Sequence, residues 1–71
     1  MSVTTDCPGV QVYTGGAPRA NGKGGASYGS RSAVCLETQF FPDSVNHPEW
    51  KQPFTKAGIP YHSETAFQFR V

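Results

Sequence analysis

The chain has 71 residues, with six basic against five acidic side chains and a formal net charge of +1. A chain of this length forms at most one small domain, and without a basic stripe its near-neutral charge removes the electrostatic case for a nucleic-acid or acidic-membrane partner. Leu, Ile, Val and Phe supply 13 residues and Gly with Pro supply 14, so the apolar fraction lies under the roughly 20% level at which disorder sets in, while the high net charge that accompanies disorder is missing.

The chain opens on Met1-Ser2-Val3-Thr4-Thr5-Asp6, which has neither the charged region nor the apolar stretch of an export signal, and no later apolar run approaches the roughly 18 residues of a membrane span. The expectation is a cytoplasmic chain. Cys7 and Cys35 are too few for a disulfide framework and form no CxxC pair, so both are expected as reduced thiols.

Val10-Gln11-Val12-Tyr13-Thr14 alternates as a strand does, placing Val10 and Val12 on one face and Gln11 and Tyr13 on the other. Gly15 to Gly29 holds six of the eight glycines, with Pro18 and Asn21 among them, and reads as loop or tight hairpin. The second strand is Ala33 to Phe40, with Val34, Leu36, Thr38 and Phe40 opposing Ala33, Cys35, Glu37 and Gln39. Phe41 to Gly58 carries Pro42, Pro48 and Pro53, each fixing φ and removing a donor, as suits an extended surface loop. Ile59 to His62 is a candidate short strand. The third clear strand has Thr65, Phe67, Phe69 and Val71 facing one way and Ala66, Gln68 and Arg70 the other. No segment keeps a helical period for the 11 or so residues a helix requires. The fold class is all-β, with about four to five strands and two long loops. Loops of that length suggest a larger body than the one present here.

Few constellations suggest chemistry. A phosphate loop needs GxxxxGK[ST] between a strand and a helix. Here Gly22-Lys23 is followed by Gly24, Gly16 stands one residue too far upstream, and no helix follows. His47-Pro48-Glu49 and His62-Ser63-Glu64 share no spacing signature that would assemble a closed metal site, and no metal is expected. Neither cysteine sits in a context that lowers a thiol pKa. Glu37 stands out, because a carboxylate between Leu36 and Thr38 is either exposed on a wet strand face, paired, or poised for chemistry. Desolvation would raise its pKa from about 4.3 toward the range of roughly 6 to 7 that suits a general base. Gln11 has the same ambiguity between a wet face and a hydrogen bond to a polar ligand.

Cys35-Leu36-Glu37-Thr38-Gln39, followed by Pro42-Asp43-Ser44 and then Asn46 with Pro48, resembles the C-terminal signature of the aldose 1-epimerases, the galactose mutarotases. Pro8-Gly9-Val10-Gln11-Val12-Tyr13-Thr14-Gly15 is similar to that family's upstream strand and turn, Gly22-Lys23-Gly24-Gly25 with Tyr28 to its intervening loop, and Gly58 and Tyr61 to the approach to its final strand. The resemblance covers the chain from about Cys7 onward.

It implies that residues 1–71 are a single unit corresponding to the C-terminal quarter of a larger antiparallel β-sandwich, which interconverts the α and β anomers of aldohexoses such as glucose and galactose without a cofactor. In such a site Glu37 would be the general base that takes the anomeric proton. Gln11 would hydrogen-bond the sugar, and Tyr13 would support that face as a further substrate-binding residue. A histidine elsewhere in the family's domain is the general acid. It lies upstream of the matched region, and the resemblance offers neither His47 nor His62 in its place. The chain also departs from the family in Gly15-Gly16-Ala17-Pro18-Arg19-Ala20-Asn21, which puts sugar contacts from that loop in doubt. Expected partners are therefore a monosaccharide and either a complementary N-terminal mutarotase segment or a second copy of the chain, with little activity for the chain alone. The competing reading is a non-catalytic β module that binds carbohydrate or self-associates. In either case something is expected to cover the face bearing Phe67 and Phe69.

Overall fold

The computed structural model describes residues 1–16 and 19–71. Ala17 and Pro18 of the glycine-rich stretch lie outside the described residues. Among the described residues six strands run in chain order: β1 Ser2–Thr5, β2 Gly9–Tyr13, β3 Ala20–Asn21, β4 Ser27–Tyr28, β5 Cys35–Gln39 and β6 Thr65–Gln68. The only helical segments among the described residues are short 3₁₀ turns, at Lys23–Gly25 and Ser44–Asn46. The protein is all-β, as the alternation indicates, and its strands form three two-stranded antiparallel ladders, β1 with β6, β2 with β5 and β3 with β4.

The strand list differs from the sequence expectation at both ends of the chain. β1 is an addition, because Ser2-Val3-Thr4-Thr5 carries a single large apolar side chain and so gives almost no alternation signal. It pairs with β6 in the register Val3 to Phe67 and Thr5 to Thr65. Ile59 to His62 is not a strand: a turn at Ala57–Ile59, closed by Ile59 N–H donating to the Lys56 carbonyl at 3.1 Å, takes its place. The glycine-rich stretch does hold a hairpin. In it Ala20 pairs with Tyr28, and the positive φ of Gly24 (64°) and Gly25 (78°) supplies the left-handed backbone that the reversal requires.

The two longer ladders meet through hydroxyl groups and a few half-buried aliphatic side chains. Thr65 Oγ1 lies 3.0 Å from Thr5 Oγ1 and 2.7 Å from Thr38 Oγ1, linking β1, β6 and β5 in one chain of hydrogen bonds. Beside it Val3, Cys7, Val10 and Leu36 line a cleft of about 310 Å³ between the ladders. The Asp6 carboxylate accepts from the Glu64 amide at 3.0 Å, and the Asp6 amide donates to the Glu64 carbonyl at 3.3 Å, tying the two ends of the chain together.

No apolar side chain among the described residues is fully buried, and the one buried residue is Ser44. The radius of gyration, 16.5 Å, exceeds the value of about 11 Å expected for a compact domain of this length. The accessible surface is 6102 Å², whereas a compact monomer of 7.7 kDa exposes about 4,300 Å². None of the described residues covers the Phe67 and Phe69 face; the exposures of the two rings are 49% and 76%. β1 pairs with the edge of β6 and leaves those rings open.

Candidate functional site

The β2–β5 ladder sorts its side chains by simple parity. Directly opposed residues in an antiparallel pair point to the same face, and successive residues point to opposite faces. The register sets Gly9 against Gln39, Gln11 against Glu37, and Tyr13 against Cys35, all on one face. Val10, Val12, Leu36 and Thr38 occupy the other, which meets the β1–β6 ladder through Thr38. The three residues singled out from the sequence thus share one face, and two of them, Gln11 and Glu37, are directly across from each other. Opposed Cβ atoms in such a pair lie about 4.5 to 5.5 Å apart, close enough for both side chains to reach one ligand.

Gln11, Tyr13 and Glu37 are all exposed. Alternation explains why Glu37 is not desolvated by its apolar neighbours: Leu36 and Thr38 turn to the opposite face. Among the described residues neither Gln11 nor Glu37 has a side-chain hydrogen bond or ion pair, so the carboxylate offers free acceptor sites and the carboxamide offers both donors and an acceptor. Tyr13 stands two residues from Gln11 along the strand, a step of about 7 Å. Together they form a flat polar patch suited to a ligand with several hydroxyl groups.

One end of that face is closed by the loop 41–52. The loop is not the extended segment its prolines suggest. Asp43 adopts a left-handed conformation (φ 66°) and the 3₁₀ turn Ser44–Asn46 follows it. The Ser44 hydroxyl donates to the Phe41 carbonyl and the Asn46 carboxamide to the Asp43 carboxylate. Gln52 Nε2 reaches the carbonyls of Ser44 and His47, each at 2.8 Å, and of Trp50 at 3.1 Å. Asp, Ser and Asn in close succession are turn formers whose side chains bond the nearby backbone, and that signal was available in Asp43-Ser44-Val45-Asn46. From this loop the Phe41 ring lies over Gly9, where an added Cβ would sit 2.6 Å from Cε1. Only glycine permits that approach.

Neither histidine is hydrogen-bonded or ion-paired to Glu37 among the described residues. His47 belongs to the 41–52 loop, its Nε2 lying 3.2 Å from Asp43 Oδ2 and its Nδ1 3.6 Å from Glu49 Oε1. His62 is exposed in the irregular segment before β6. No cluster of three or more potential metal ligands occurs among the described residues, and no helix is long and apolar enough to cross a membrane.

Residues 1–68 match the family model described as Aldose 1-epimerase. The chain belongs to the aldose 1-epimerase family. All of it aligns with galactose mutarotase of Mus musculus at 44% identity and of Homo sapiens at 42%, covering 21% of each relative. Aldose 1-epimerase of Escherichia coli (strain K12) is 40% identical over 97% of this chain and again 21% of its own length. The chain therefore spans about a fifth of the length of these aldose 1-epimerase relatives, and its placement in their C-terminal quarter rests on the motif resemblance alone. No solved structure matches it.

Proposed function

We propose that this chain is the segment of an aldose 1-epimerase that presents the general base, Glu37, to the anomeric hydroxyl of an aldohexose such as galactose or glucose. The observation that carries the reading is the direct opposition of Glu37 and Gln11 on an exposed strand face. The carboxylate takes the proton from the C1 hydroxyl as the bond between C1 and the ring oxygen breaks. An acid supplied by the rest of the family domain protonates the ring oxygen, giving the open-chain aldehyde. Rotation about the C1–C2 bond and closure on the other face, with the proton transfers reversed, yields the other anomer. Acid and base on opposite sides of one C–O bond avoid a free ion at either end, and each is worth about 10²- to 10⁴-fold in rate.

Gln11 fits beside the base because its carboxamide can donate to one sugar oxygen and accept from a neighbouring hydroxyl without competing for the proton. Tyr13 extends the same polar face by about the width of a pyranose ring with its substituents. An open ladder leaves Glu37 in bulk water, so the rest of the domain must also exclude solvent and orient the sugar. Polarimetry of freshly dissolved α-D-galactose tests the proposal. The 71-residue chain alone is expected to leave the buffer rate unchanged. A chimera in which it replaces the matched segment of Escherichia coli aldose 1-epimerase is expected to accelerate mutarotation, with Gln11→Ala raising KM by about tenfold, the worth of one good hydrogen bond. A folded chimera that shifts the Gln11 amide on adding galactose yet never accelerates mutarotation would establish the non-catalytic sugar-binding reading instead.

A further inference from the structure

We propose that His47 is a positioning residue: hydrogen-bonded to Asp43 and stacked on Trp50, it holds the Phe41 ring over Gly9 and so fixes the end of the strand pair that presents Gln11 and Glu37. The inference rests on the reading of Glu37 and Gln11 as the working residues. It is carried by a continuous path of contacts. The His47 and Trp50 rings stack with centroids 4.0 Å apart and planes 18° from parallel, and Trp50 meets Phe41 edge to face at 5.5 Å. Phe41 fills the space over Gly9, whose ladder partner is Gln39. The next pair on that face is Gln11 with Glu37.

Each link has a physical role. A neutral imidazole has one N–H donor and a carboxylate only accepts, so the ring is held by one carboxylate at a time: with the proton on Nε2 it donates to Asp43 Oδ2 at 3.2 Å, while Glu49 Oε1 stands 3.6 Å from Nδ1. The loop backbone beneath is closed by the Trp50 amide donating to the His47 carbonyl at 2.9 Å and by the three bonds of Gln52. Phe41 therefore reaches β2 from a braced support. A two-stranded ladder without a buried core has little else to fix its twist, and a shift of about 1 Å in a catalytic group can cost up to about 10²-fold in rate.

Trp50 is the single tryptophan, so near-ultraviolet circular dichroism of the 71-residue chain reports the stack, and NMR of the Gly9, Gln11 and Glu37 amides reports the ladder. His47→Ala is expected to abolish the Trp50 signal and shift all three amides. His47→Phe, which keeps a stacking ring but loses the hydrogen bond to Asp43, is expected to shift them partway. Gly9→Ala displaces Phe41 directly and is expected to shift the same amides, with no further change when His47→Ala is added, since both substitutions break one path. In the chimera, His47→Ala is expected to lower kcat by about tenfold with KM within about twofold. Unchanged Gln11 and Glu37 amides on loss of the Trp50 signal, or additive effects of Gly9→Ala and His47→Ala, would overturn the inference. An unsubstituted chimera without mutarotase activity would count against the proposed function and leave the amide criterion to decide the role of His47. Should the isolated chain give no dispersed spectrum, its complex with the rest of the family domain serves for the same measurements.

Discussion

Glu37→Gln in the mutarotase chimera is expected to lower kcat for interconversion of α- and β-D-galactose by about 10²- to 10⁴-fold, the usual worth of a positioned general base. The substitution keeps the length and planarity of the side chain and its place opposite Gln11 in the β2–β5 register. It removes only the ability to accept a proton. KM is accordingly expected to stay within about threefold, because a change confined to the transition state appears in kcat. Glu37→Asp is the informative companion: it retains a carboxylate but withdraws it by one methylene from a strand face that cannot follow, so partial activity is expected. Polarimetry gives both parameters, and far-ultraviolet circular dichroism establishes that the variants fold alike. Equal kcat for the parent and Glu37→Gln would remove Glu37 from the role of base.

Much of what positions Glu37 was legible because alternation is a local property. β2, β5 and β6 each follow from the spacing of apolar residues within a few positions, and the side of the strand on which Glu37 stands follows from Leu36 and Thr38 alone. The partner across the ladder did not follow, since nothing local fixes which residue of β2 meets Glu37. The opposition of Gln11 is a consequence of register between strands some 25 residues apart. β1 has almost no alternation signal because two Thr and a Ser flank its one Val, and its strand character comes from pairing with β6 rather than from its own pattern. In the 41–52 loop the prolines suggest an extended segment, whereas the side-chain bonds of Ser44, Asn46 and Gln52 fold the backbone onto itself. The approach of Phe41 to Gly9 is likewise a long-range contact, visible in sequence only as a glycine at the head of a strand.

The rest of the family domain is expected to bind this chain through the face of the β2–β5 ladder opposite Glu37, and this association is expected to carry the largest structural effect. Val10 and Val12 are each 52% exposed there, and Val34, just ahead of β5, is equally so. The β1–β6 ladder reaches the face at Thr38 and leaves Val12 uncovered. Surface beyond the compact-monomer value amounts to about 1,800 Å², more than the roughly 800 Å² that each partner contributes to an ordinary stable interface. With no buried apolar side chain among its described residues, the chain lacks a core with which to unfold cooperatively, so alone it is expected to melt without a sharp transition. In complex with the remainder of a galactose mutarotase domain it is expected to melt cooperatively and to bind with a negative heat-capacity change from apolar burial. Val12→Asp places a charge on that face and is expected to weaken binding by at least about 100-fold, since the buried Val contributes about 1.5 to 3 kcal/mol and the carboxylate adds a desolvation cost. Glu37→Gln, on the other face, is expected to bind as the parent does. Titration calorimetry with sedimentation measures both. Equal affinity of Val12→Asp and parent would exclude this face as the contact, and a discrete dimer of the chain that the remainder of the domain fails to dissociate would identify a second copy as the occupant.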